Sequence, residues 1–286
     1  MSSHSQGADG DSRVPVYPHR HIPLEYSNGP AWMAALELAA PLAHGARGLI
    51  VGPPGSGRTT VLQAIGCAVA ANAPHAELHV VLVDRPIDEH MEWRSCVPSA
   101  IVQGTTSEDD PDAHADLTRI FREAADAAAA GRDVVILVDS LAALARALNI
   151  SMDLDERILS GGIMATALRE LRSCFGAARA YDPDGSLTVL GTATVDGDQE
   201  LDTVVFEELV GTGNVDYRLS ADIRAAGLFP PIDIERSGAR HIDSILGTTE
   251  ADHRARQRAL VTQYVPSAGL AMLLEHLEQH GTLPDA

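Results

Sequence analysis

Between a short run of leucine and β-branched residues and a long helix-forming stretch lies Gly52-Pro53-Pro54-Gly55-Ser56-Gly57-Arg58-Thr59-Thr60. Its spacing is G-x-x-x-x-G-[basic]-[ST], and this loop limits the possible folds more than any other feature of the chain. Glycines let consecutive backbone N–H groups turn inward on an anion, and the start of the next helix adds its dipole. Gly52 through Thr60 are therefore expected to cradle nucleotide phosphates, with the Thr59 hydroxyl placed to ligate Mg²⁺. Such a loop works only where a strand feeds a helix. GLIV (48–51) reads as that strand and VLQAIGCAVAANA (61–73) as that helix. The plainer alternative is a glycine-proline turn with no ligand. A second element argues against it, because Asp139 ends a buried strand and is placed to reach the Mg²⁺ shell.

The remaining pattern supports the same architecture. DVVILVDS (133–140), HVVLVD (79–84) and SLTVLGTAT (186–194) read as buried strands, and residues 204–219 are expected to supply later ones. Helical spacing covers residues 30–44, 112–130 and a terminal region over 253–280. Strands alternating with helices predict an α/β fold, a mostly parallel sheet covered on both faces. Residues 1–22, polar and proline-bearing, are expected as a disordered tail before one nucleotide-binding domain over 23–286. The acidic stretch 107–116 reads as a solvated loop and helix start.

Composition narrows the function classes. There is no apolar run of transmembrane length and no apolar core of a secretory signal, so a cytoplasmic location is expected, with no membrane partner. Cys67, Cys96 and Cys174 lack metal or redox spacing, and the histidines form no recognisable ligand set. The formal net charge is −19, and all 21 basic residues are arginine. That balance counts against general affinity for nucleic acid, while leaving room for a narrow arginine-lined pore.

RGLIVGPPGSGRT, DVVILVDSLAALARALN, SGGIMATAL, FGAAR, GSLTVLGTA, FEELVGTGN and FPPIDIERSGAR follow one another over about Leu24 to Thr262. In order and spacing they resemble the ATPase domain of the Rho family of transcription terminators. A RecA or F1-type subunit shares the fold without this set. The resemblance implies a RecA-like P-loop NTPase with ATP and Mg²⁺ as cofactors. It further implies an ATP hydrolase of the RNA-dependent helicase class, assembled as a hexameric ring around RNA, with an intact Rho chain as another candidate partner. The family's RNA-capturing domain would precede this region, and the residues upstream are too few to supply it.

Residue by residue, the resemblance assigns Gly57, Arg58 and Thr59 to phosphates and Mg²⁺, Asp139 to the ion, and Phe229 to the adenine face. It assigns Arg236 as a finger onto a neighbouring subunit's nucleotide and places Arg85 near the subunit interface. Departures bear on turnover. Arg58 stands where lysine is usual, a planar fork in place of a compact charge. The family's catalytic glutamate lies in an Asp-Glu-Arg-Pro run. Here the run is Val83-Asp84-Arg85-Pro86, so Asp84 either replaces that glutamate or marks its deletion. Basic pore positions become Asp155-Glu156-Arg157 and Gln199-Glu200; residues 210, 221–222 and 227 also lack the usual basic character. Two readings follow: an ATP-driven RNA-handling ring motor, or a catalytically degenerate paralogue that binds nucleotide as a regulatory or assembly subunit.

Overall fold

The computed structural model describes residues 13–104, 111–150 and 157–285. Short elements open it: β1 (Val14–Val16), β2 (His21–Ile22), α1 (Met33–Ala39) and β3 (Leu42–Ala43). Strands and helices then alternate: β4 (Arg47–Gly52), α2 (Arg58–Asn72), β5 (Glu77–Leu82), α3 (Ile87–Cys96), β6 (Ile101–Gly104), α4 (Pro111–Ala129), β7 (Asp133–Asp139) and α5 (Leu141–Ile150). The second half brings α6 (Ala165–Gly176), β8 (Arg179–Asp182), β9 (Ser186–Thr194), α7 (Glu200–Val210), β10 (Val215–Arg218), α8 (Ala221–Ala225) and β11 (Gly238–Ala239). Helices α9 (Ile242–Leu246), α10 (Thr248–Thr262) and α11 (Pro266–His280) close the chain.

The main sheet runs β11-β10-β4-β9-β7-β5-β6, and every pairing from β10 to β6 is parallel. Its strands are apolar on both faces because both faces are covered. In β7, Val135 and Leu137 join a core shared with α1, α2 and α11. Val134, Ile136 and Val138 point the other way, into a core built by α4, α5, α6 and α7. Gly191 in β9 lets α5 approach: a Cβ there would stand 2.5 Å from the Leu141 side chain. The chain can therefore turn from the end of β7 directly into α5.

Some expected boundaries move. Residues 204–219 are not all strand: α7 continues to Val210, and only Val215–Arg218 is extended. Val204, Val205 and Phe206 look strand-like locally, but Leu201, Val205 and Leu209 recur at helical spacing and pack on the second core. The helix expected over 30–44 is α1 alone, followed by Pro41 and the strand β3. The terminal region is two helices, the second opened by Pro266.

The expected tail also ends before residue 22. Residues 1–12 lie outside the described set, but β1 pairs with β8 and β2 with β3. Arg20 donates to both oxygens of Asp133, at 2.8 and 2.5 Å, and His21 Nε2 lies 2.5 Å from Glu37. These contacts fasten the segment to the base of the sheet. His44, His75 and Asp133 also bring possible ligand atoms within 4.8 Å of one another, a grouping that sequence spacing conceals. Both Asp133 oxygens already face the Arg20 guanidinium. Among the described residues, no helix is long and apolar enough to cross a membrane.

Candidate nucleotide site

β4 delivers the chain to Gly52 and α2 begins at Arg58, so residues 53–57 turn at the carboxyl end of the parallel strands. That end is where open α/β sheets present their ligands. Gly55 and Gly57 hold φ of 71° and 88°, a region glycine enters without strain. Gly57 offers α2 no side-chain cap, and the helix's first turn carries no acidic residue. In α3 and α7 that turn is acidic. The positive pole of α2 thus meets the loop without a carboxylate from its own first turn.

The loop is closely wrapped. A Cβ on Gly52 would lie 2.5 Å from Ser56 Oγ, and one on Gly57 would lie 2.7 Å from the Phe229 ring. Ser56 is 2% exposed, and its hydroxyl has no hydrogen-bond partner among the described residues. A buried hydroxyl of this kind is normally satisfied, and an anion in the loop would satisfy it.

Asp139 ends β7 beside the loop and is almost wholly buried. Thr59 Oγ1 donates to its Oδ2 at 2.7 Å. Thr192 Oγ1, from neighbouring β9, donates to Oδ1 at 2.7 Å, and Arg85 Nη2 donates to the same oxygen at 3.0 Å. A carboxylate and a hydroxyl are the oxygen donors that Mg²⁺ prefers. The residues present therefore fit a Mg-nucleotide: the loop and the start of α2 for phosphates, Thr59 and Asp139 for the ion. When bound, the ion would neutralise phosphate charge.

The other expected site residues divide. Arg58 Nη1 donates to the Gly52 carbonyl, so its guanidinium folds back to the start of the loop. Burial lowers its proton affinity, while Asp139 and Asp202 oppose that change. Asp84 adopts φ 53°, two residues beyond Leu82, which pairs in register with Asp139. It thus occupies the same sheet end, one strand over. Phe229 lies between α8 and β11 with its ring over Gly57, 41% exposed and edge-on to Trp32 at 5.5 Å. Pro54 and Thr60 are exposed. Pro53 lines a cavity of about 820 Å³ with Arg218, Asp222, Asp233 and Arg236.

Arg236 does not join the Asp139 cluster. Its side chain is 81% exposed and stands 4.0 Å from Asp233. Thr192 and Trp32 belong near the site, yet no motif assigns either a role there, although Thr192 falls within GSLTVLGTA. A hydroxyl within the apolar run of β9 is the one available signal for Thr192. Of the acidic loop residues, Asp155 and Glu156 lie outside the described set. Glu200 opens α7 and is exposed, and Gly161 packs against Leu201, where a Cβ would lie 2.8 Å from its Cα.

Comparison with known proteins agrees with this geometry. Residues 33–239 match the family described as ATP synthase alpha/beta family, nucleotide-binding domain. Transcription termination factor Rho of Streptomyces lividans is 36% identical over 267 residues, covering 93% of this chain and 38% of that protein. The factor of the same name from Streptomyces coelicolor is 38% identical over 267 residues, covering 93% and 64%. The chain thus spans less than two thirds of the length of these curated relatives. An ATPase from the type III secretion system of pathogenic bacteria superposes with a TM-score of 0.69 at 20% identity, covering 95% of this chain and 75% of that one. That likeness establishes the RecA-like fold. With a glycine loop, a hydroxyl and a buried strand-end carboxylate assembled on this fold, and with most of its length matched, the chain belongs to the ATP synthase alpha/beta family through its nucleotide-binding domain.

Proposed function

We propose that this chain is a Rho-like P-loop ATPase that binds Mg-ATP at the loop spanning Gly52 to Thr60 and works as one subunit of an RNA-handling ring. The observation that carries the reading is the 2.7 Å hydrogen bond from Thr59 to Asp139 beneath a loop of positive-φ glycines. It joins the two oxygen donors an ion would need. Phe229 supplies an aromatic face next to the loop for the base. Asp84 is the candidate for positioning the attacking water, Arg58 for neutralising charge around the phosphates, and Arg236 for reaching a neighbour's nucleotide. The first test is thermal. A ligand selective for the folded state raises Tm, so Mg-ATP should raise it while ATP with a chelator should do so less. No shift at millimolar Mg-ATP, in wild type and in Arg58→Lys, would sink the reading.

A second reading rests on two specific contacts. Arg58 is turned onto Gly52, and Arg85 occupies an oxygen of Asp139. Together they suit a subunit that holds nucleotide without turning it over and regulates or completes an assembly. Phosphate release measured with and without RNA separates the two: RNA-stimulated release supports the motor, and tight binding with no release supports the regulatory subunit.

A further inference from the structure

From the contacts around Gly55 we infer that Arg224 is a phosphate ligand of the nucleotide, replacing in part the cation that Arg58 withdraws from the loop. The inference rests on the nucleotide reading above and adds a residue to it. Arg224 lies in α8, whose short turn sets it against the phosphate loop. A Cβ on Gly55 would meet its Nη1 at 2.9 Å and its Cζ and Nη2 at 3.5 Å. Its guanidinium has no ion pair or hydrogen bond with a described residue, although acidic side chains are abundant in this protein. An arginine fork in a chain of net charge −19 would ordinarily find a carboxylate. This one rests on glycine backbone instead.

The surrounding chemistry names the ligand class. Two glycines with positive φ open the loop towards the same segment of chain: Gly55 faces Arg224, and Gly57 faces Phe229. One short stretch, α8 and the residues after it, thus sets a guanidinium against Gly55 and an aromatic ring against Gly57 of the same loop. That pairing matches an anionic tail and a planar base. Arg58, the basic residue the loop itself supplies, is half withdrawn, donating to the Gly52 carbonyl beside Asp139 and Asp202. A planar fork matches two phosphate oxygens at once, which a compact ammonium does not.

The test compares Mg-ATP, Mg-ADP and adenosine on wild type, Arg224→Ala and Arg224→Lys by calorimetry over a series of salt concentrations. Arg224 is exposed, so both variants should melt like the wild type without ligand. The expected result is a roughly ten- to hundredfold loss of Mg-ATP and Mg-ADP affinity in Arg224→Ala, as follows for one charged hydrogen-bonding group. Adenosine affinity should be unchanged, the salt dependence shallower, and Arg224→Lys intermediate. If wild type binds Mg-ATP and Arg224→Ala binds it within twofold, the inference fails and the nucleotide reading stands. An equal loss for adenosine also overturns it, since Arg224 would then support the base pocket. If wild type binds none of the three, both ideas fall together.

Discussion

Asp139 is crowded, and the crowding bears on how an ion would enter. Its carboxylate accepts from Thr59, Thr192 and Arg85 while almost fully buried. Arg85 supplies the positive charge that keeps a buried anion tolerable. A divalent ion would bring its own charge to the same oxygens, so Arg85 and Mg²⁺ would compete. Arg85→Ala should therefore lower the Mg²⁺ concentration needed for half-maximal nucleotide binding by several-fold, read from a Mg²⁺ titration of nucleotide fluorescence. Thr59→Ala should raise it. Asp84, if it replaces the glutamate expected from the Rho resemblance, bears on a different quantity. Its side chain is one methylene shorter than the family's glutamate, and a water misplaced by about 1 Å loses on the order of 10²-fold in rate. Asp84→Glu should raise kcat and leave nucleotide affinity alone. Unchanged kcat would assign Asp84 to the connection rather than to the chemistry.

Elements formed by local pattern were legible, while contacts between distant segments were not. The strand, glycine loop and helix around Gly52, and the strands β7 and β9, announce themselves as apolar runs of the right length bounded by turn or polar residues. The helix α7 did not, because Val204 through Phe206 favour strands locally and only the packing of Leu201, Val205 and Leu209 decides. Thr192 and Trp32 reach the site through pairing and packing between segments far apart in sequence, which no spacing rule encodes. The same holds at the opposite end of the sheet, where Arg20, Asp133 and Ser186 meet around His44. Burial pulls His44 down to about 4. The folded state thus stays unprotonated while the unfolded chain takes up a proton near pH 6.5, so stability falls as pH drops from about 6.5 to 4. Burial alone would raise Asp133, but hydrogen bonds from Arg20 and Ser186 hold it at about 2. Its contribution is lost further down, between its ordinary range and about pH 2. Unfolding measured against pH should show the first decline in wild type and a shallower one in His44→Leu. Equal slopes would place the proton uptake elsewhere.

At the scale of the whole molecule, charge sets the terms on which RNA could be held. A net charge of −19 repels a polyanion at long range, so any grip has to be local. If the ring reading holds, the resemblance to Rho implies that the start of α7 faces the RNA strand; Glu200 is exposed there and the turn at Gly161 packs beside it. A like charge there opposes phosphate most strongly at low salt, where screening is weakest. Glu200→Lys should then tighten RNA binding and steepen its salt dependence, by a slope of about 0.7 for each single-strand phosphate that the new lysine neutralises. Turnover should rise little from this change alone, because it leaves Asp84 and Arg58 as they are. Glu207 separates a local from a general effect: it lies on the same helix, also exposed, and its replacement by lysine makes the same change in net charge. Equal tightening by Glu200→Lys and Glu207→Lys would mean that only net charge matters and that the start of α7 does not face RNA. Tightening confined to Glu200→Lys, lost at high salt, is the result expected if this loop lines the path of the strand.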